Sequence, residues 1–169
     1  SLMLEEARGR LVGASRRLQA NPDLDTALGR RDGEDGVQTD FQIGIEQMGR
    51  RDGAGAAQTF SRVIQRRPDF AEGWNKRATA HWPMGNFQAS LADICETVKR
   101  EPRHFGAYSG LGMIRAEMGE AARAVAAFEL ARKGNPHIAG IDGEIVRLTA
   151  LGGDTGADAD PLGCGRPST

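Results

Sequence analysis

The sequence predicts an all-α fold, an α-solenoid of stacked helical hairpins, and three observations carry that expectation. First, the chain repeats itself. Blocks opening at Val37, Ala71 and Phe105 stand 34 residues apart and align without a gap, so that Pro68, Pro102 and Pro136 share one column, as do Phe60, Ile94 and Phe128. A fixed period of that length marks a unit that cannot bury its apolar face alone and must stack on its neighbours. Second, apolar residues recur at helical spacing: Ala56, Phe60, Val63 and Ile64, then Phe87, Leu91, Ile94 and Val98, then Ala124, Val125, Phe128 and Ala131. Third, a turn residue, Gly85 or Gly119, falls in the middle of the second and third blocks and divides each into two short helices.

The elements follow in chain order. Residues 2–19 read as an amphipathic N-terminal helix with Leu4, Leu11 and Leu18 on one stripe. Asn21-Pro22 ends it, because the residue before a proline is pushed out of the helical region. Asp25 to Gly36 is polar and Gly-rich and reads mostly as loop. The first block then holds one helix from about Gln38 to Gly49 and another from about Gly53 to Arg67, with Asp52 as the N-cap of the second. Asn86 stands in the same column and should cap likewise, while Glu120 there is a poorer cap. Gly85 and Gly119 supply left-handed backbone at the inter-helix turn. Arg51 must do so in the first block, at a cost of about 1–2 kcal/mol, unless the turn shifts to use Gly49 or Gly53. Pro83 removes a helix bond and should disturb the end of its helix. Gly44 and Gly112 share a column where small size lets helices approach. Gly140 to Leu151 reads as a C-terminal capping helix with Ile141, Ile145, Val146 and Leu148 as its apolar positions. The organisation expected is therefore 1–36 (helix and loop), 37–151 (three units at 37–70, 71–104 and 105–138 plus the capping helix) and 152–169, which has the composition of a disordered tail.

Composition narrows the function. The 22 basic and 23 acidic residues interleave, so the chain lacks the basic excess of a nucleic-acid-binding or anionic-membrane surface. Arg62, Arg66 and Arg67 read as a solvated helix face. No apolar run reaches bilayer length, so membrane insertion is not expected, and SLMLEEARGR has no signal-peptide character. The chain reads as soluble, with cytoplasm and periplasm both open. Cys95, inside a predicted helix, and Cys164, in the Gly-rich tail, read as two unlinked thiols. The 23 glycines are about twice the usual share and suggest modest stability.

Catalytic signals are missing. His81, His104 and His137 occupy three different repeat positions, none beside a second ligand-type residue at metal spacing. His81 stands in a column usually filled by a large packing residue and reads as core-edge. Asp154, Asp158 and Asp160 lack calcium-loop spacing and its closing Glu. GMIRAEMG and GGDTG lack the strand context and lysine of a phosphate loop. No enzyme activity, cofactor or metal is expected.

The column pattern resembles the tetratricopeptide repeat: a large residue, a small one four positions on, a mid-block Gly, Ala-x-x-x-Phe, and a late Pro. The third block matches best, with Tyr108, Leu111, Gly112, Gly119, Ala124, Phe128 and Pro136. The second supplies Trp74, Ala78, His81, Gly85, Ser90, Ile94 and Pro102, and the first has Asp40 where the aromatic belongs. The phrases AEGWNKRAT and REPRHFGAYSGLGMI also look like a group of small, often exported, bacterial proteins with this repeat.

The resemblance implies a concave groove lined by the first helix of each pair, and a non-catalytic scaffold or adaptor that binds a peptide or protein partner there. Carried over column by column, the groove-facing positions are Gln38, Phe41, Gln42 and Ile45, then Glu72, Asn75, Lys76, Thr79 and Pro83, then Gly106, Ser109, Gly110, Met113 and Glu117, of which Phe41, Gln42, Ile45, Asn75, Lys76, Thr79, Met113 and Glu117 are the binding candidates. Asn75 would bracket a peptide amide and Lys76 would hold a carboxylate. Phe41, Ile45 and Met113 would form an apolar wall, unless Phe41 and Ile45 pack under the N-terminal helix. A family subtype that clamps the C-terminal carboxylate of chaperone tails needs Lys and Asn on the first such helix, Asn on the second, and Lys and Arg on the third, where this chain has Phe41 and Ile45, then Lys76, then Gly106 and Gly110. A chaperone adaptor of that kind is not expected. The alternative function is a structural module that self-associates as a homo-oligomer.

Overall fold

The computed structural model describes residues 34–152 and 160–165. Those residues form seven helices and no strand: α1 (Glu34–Gly49), α2 (Gly53–Arg66), α3 (Ala71–His81), α4 (Phe87–Arg100), α5 (Phe105–Glu117), α6 (Ala121–Gly134) and α7 (Ile141–Ala150). The expected N-terminal helix over residues 2–19 lies outside the described residues. Asp40 opens one compact unit that runs on through the rest of the chain, and the residues before it belong to another. Helix α1 starts at Glu34, ahead of the expected Gln38, so Glu34 to Gly36 are helix where loop was expected. The reason is that an apolar stripe marks where burial starts, and the first turn of α1 lies before its first apolar residue, Val37.

Within the unit from Asp40 onward, consecutive helices pack as hairpins. The column of Phe60, Ile94 and Phe128 is the core of each, exposed by 0%, 3% and 2% respectively. Small residues opposite make that possible. A methyl group on Gly112 would stand 2.5 Å from the Phe128 ring, and one on Gly44 would stand 2.6 Å from Phe60. Both glycines face an aromatic of the second helix of their own pair, which is what their shared column implied.

The turns show the same logic. Asp52 accepts a hydrogen bond from the Gly55 amide at 2.9 Å, as an N-cap should. Asn86 makes no side-chain cap bond, and neither does Glu120. Glu120 faces Arg115 and Arg123 instead, at 2.6 and 3.4 Å. Pro83 converts the end of its helix to a 3-10 turn, Trp82–Met84, which tolerates the missing N–H. Gly85 and Gly119 have φ of 74° and 77°, and Arg51 adopts φ 61°. Arg51 is exposed, so only backbone conformation holds it there. Arg51→Gly is therefore expected to raise stability by roughly 0.5–1 kcal/mol, relief of the left-handed strain outweighing the added freedom of the unfolded chain. A denaturant midpoint that falls would contradict it.

A second repeating device ties each hairpin to the turn before it. The Trp74 indole donates to the Pro68 carbonyl at 3.0 Å, and the Tyr108 hydroxyl donates to the Pro102 carbonyl at 2.9 Å, each reaching six residues back. Asp40 holds that column in the first block. It is bound instead by Arg66 at 2.9 Å and Arg62 at 3.3 Å, an ion-pair substitute for the aromatic anchor. These two arginines are therefore ion-paired, while Arg62 stays exposed on the helix face. Arg77 departs from its column too, standing where the third block has Leu111. It donates twice to Asp93, both at 2.7 Å, and once to the Ser61 hydroxyl at 3.0 Å.

The two cysteines correct the sequence reading. Cys95 on α4 and Cys164 are joined in a disulfide across a separation of 69 residues. Nothing local announces such a link, because a pairing decided by tertiary approach leaves no spacing signal. The described part of the tail, 160–165, is likewise placed by contacts and not left as a free coil. The Asp160 carboxylate accepts from the amides of Gly163, Cys164 and Gly165 at 3.0, 3.2 and 2.8 Å. Those amides hold its carboxyl below the ordinary carboxylate range.

Candidate functional site

The first helices of the hairpins carry the predicted groove residues, and the structure places Phe41, Gln42, Ile45, Asn75, Lys76, Thr79, Met113 and Glu117 in five settings. Phe41 and Ile45 are half-buried and packed against the Ala56, Phe60 and Ala80 cluster. Phe41 meets the rings of Phe60 and Phe70 at 5.7 and 5.5 Å, so both residues are engaged in packing within this unit. Gln42 is exposed.

Asn75 and Lys76 come together through Glu72, a neighbour in the same set of columns. The Glu72 carboxylate accepts from Asn75 at 3.3 Å and lies 3.5 Å from the Lys76 ammonium. It also meets His104 at 2.6 Å. The other ring nitrogen of His104, Nδ1, accepts from the Ala107 amide at 3.0 Å and caps α5. Since Nδ1 is an acceptor, the proton sits on Nε2 and is donated to Glu72. Glu72 thus joins α3 to the start of α5 and gives Asn75 and Lys76 a fixed base. Lys76 is a third exposed, which leaves it within reach of an incoming carboxylate.

Thr79 donates to the Asn75 carbonyl at 3.0 Å and lines a cavity of about 410 Å³ with Met48, Arg51, Ala80, Pro83 and Met84. Met113 and Glu117 line a different cavity, about 560 Å³, whose other walls are Trp82 and Ala116, with Phe128 as part of the lining. Glu144 and Arg147 of α7 complete it. They are paired at 2.7 Å, and Arg147 holds the Glu144 carboxyl below its usual range. The structure therefore unites Asn75 with Lys76 and Met113 with Glu117, and leaves Gln42 in neither cavity.

Glu144 and Arg147 were not among the predicted residues, although a signal for them existed. Carrying the 34-residue period one step further puts them in the columns of Lys76 and Thr79, or of Gly110 and Met113. Trp82 and Met48 share another column, one turn along from Thr79 and Ile45. Among the described residues no group of three or more His, Cys, Asp and Glu side chains is disposed to hold a metal. No described helix is long and apolar enough to cross a membrane.

Comparison with known proteins agrees with this architecture. A family model described as tetratricopeptide repeat matches residues 75–137. A TPR repeat-containing protein of Rhizobium etli is 47% identical over 57 residues, which is 34% of this chain and 28% of the relative, so the match spans well under a third of that protein. Among solved structures, the first TPR of Spaghetti (RPAP3), bound to an HSP90 peptide, superposes with a TM-score of 0.66 at 16% identity, covering 68% of this chain and 91% of that one. MamA gives 0.66 at 20% identity, covering 69% and 68%. The Yersinia enterocolitica type III secretion chaperone SycD, in complex with a peptide of the translocator YopD, gives 0.67 at 9% identity, covering 71% and 97%. Identities this low speak to the fold alone, but the period, the hairpins, the glycine–aromatic column and the family match all coincide. Residues 75–137 match the tetratricopeptide repeat, and the chain is similar to proteins built of that repeat.

Proposed function

We propose that this chain is a non-catalytic interaction scaffold that holds a segment of a partner protein against its first-of-pair helices. The observation that carries the reading is a polar station beside a cavity whose lining mixes apolar side chains with charged ones. Asn75 and Lys76, set on Glu72, stand on α3, and the Met113–Trp82 cavity lies among α5, α6, α7 and the 3-10 turn that follows α3. An extended peptide needs both: fixed donors for its backbone or carboxylates, and a pocket for an apolar side chain. The SycD and Spaghetti (RPAP3) structures hold peptides on the same fold, which supports this use of the surface. The three proposed units, 37–70, 71–104 and 105–138, would place their contact columns side by side. Phe41 and Ile45, being packed, would support the groove more than touch the ligand.

The test is capture of partners from the native organism by the immobilised protein and by an Asn75→Ala, Lys76→Ala, Met113→Asp variant. Loss of one or two anchoring contacts should weaken capture by about tenfold or more. Helicity should not change, since all three side chains lie on the surface of their helices. Equal capture by both proteins would reject the groove.

A further inference from the structure

We infer that residues 160–165 form a redox latch, closed by the Cys95–Cys164 disulfide across the second and third hairpins and released when that bond is reduced. The latch spans two hairpins. Its sulfur is bonded to α4, while its backbone lies on α5 and beside α6. The Arg115 guanidinium, whose side chain is only 3% exposed, donates from one nitrogen to the Leu162 and Gly163 carbonyls, each at 2.9 Å. Its other terminal nitrogen is held by Glu120, and its Nε, buried, has no partner. Leu162 and Cys164 meanwhile pack against the main apolar cluster. Gly163, at φ 67°, is what allows the backbone to come so close, because a side chain there would strike Arg115 and Arg123.

The segment thus behaves as a ligand of its own chain. It is short, its internal turn rests on one carboxylate, and its contacts with the helices include two carbonyl bonds and the packing of Leu162 and Cys164. A covalent tie to α4 keeps those contacts at a high effective concentration. Both cysteines are half-buried and not sealed, so a reductant has access to the bond.

A dithiol reductant supplies the two electrons. Its thiolate attacks one sulfur of the Cys95–Cys164 bond, which breaks, and a mixed disulfide forms. The second thiol of the reductant then displaces the remaining cysteine, leaving a cyclic disulfide on the reductant and, after uptake of the protons it gave up, two cysteine thiols on the protein. Once the tie is cut, Arg115 loses two acceptors in a place where water scarcely reaches. A buried guanidinium short of acceptors is unfavourable, so the slot between α4 and α5 must open and hydrate. The latched form is the one suited to an oxidising compartment.

Hydrogen exchange read by mass spectrometry on the full chain, with and without dithiothreitol, tests this. In the oxidised protein, peptide mapping should find Cys95 linked to Cys164 within one molecule. On reduction, the amides of 163–165 should exchange about tenfold faster or more, with a smaller rise near Cys95 and Arg115 and none in α2. Cys164→Ser should exchange like the reduced protein under both conditions. Three results would overturn the latch: unchanged protection of 163–165 on reduction, a disulfide found only between two copies, or loss of protection throughout all helices, which would make the bond a staple of the whole fold.

Discussion

Phe128→Ala is expected to lower stability by about 3–5 kcal/mol, the largest loss from any single truncation of the third hairpin. The ring is 2% exposed and belongs to the cluster that joins α4, α5, α6 and α7, with Leu111, Ile114, Ala124 and Ile145 among its members. Its face lies against Gly112, so removing it leaves space next to a residue that has no side chain to move in. That position cannot collapse easily, and the cost of a cavity grows with the volume that stays empty. Denaturant unfolding followed by circular dichroism measures the loss. A decrease below about 1 kcal/mol would show that the ring is not packed as described. The same column offers an internal comparison. Ile94→Ala removes a smaller side chain and should cost less, within the range of about 2–5 kcal/mol for aliphatic truncations.

Asp93→Ala is expected to cost about 3 kcal/mol, and for a different reason. Asp93 is 4% exposed and takes both ends of the Arg77 fork. The pair's hydrogen bond with Asp93, ahead of the opposing effect of burial, raises the Arg77 pKa above its ordinary value. Without Asp93, a guanidinium whose side chain is 22% exposed keeps only the Ser61 hydroxyl and the face of Trp74, whose centre is 5.3 Å away. Breaking a buried pair on one side costs roughly 3–5 kcal/mol, and partial access to water places this case at the lower end. The corresponding columns of the third hairpin hold Leu111 and Ala127. Arg77→Leu combined with Asp93→Ala should therefore recover much of the loss, since an apolar pair of matching shape replaces a buried ionic one at little cost. If the double variant is as unstable as Asp93→Ala alone, the ion pair is not the cause.

Much of this architecture was legible before any coordinate. The helices, their pairing, the core column of Phe60, Ile94 and Phe128, the left-handed turn at Arg51 and the cap at Asp52 all follow from residues at most one repeat apart. Such features are local: a helix hairpin buries its stripe against the helix next to it, so the pattern of the chain and the pattern of the packing have the same period. The columns of the candidate groove were legible for the same reason, and one more step of the period would have added Glu144 and Arg147.

What stayed hidden were the contacts that one block makes and the others do not. Glu72 reaching His104, Arg77 accepted by Asp93 in place of an apolar pair, and Asp40 bound by Arg62 and Arg66 each depend on which charged side chain happens to face which across a packed surface. The Cys95–Cys164 link goes furthest, joining positions 69 residues apart. Residue order settles which helices form and how neighbours stack, because those energies are short-ranged along the chain. Only the folded chain decides where a tail returns, since that depends on the summed surface of several helices that no single segment encodes.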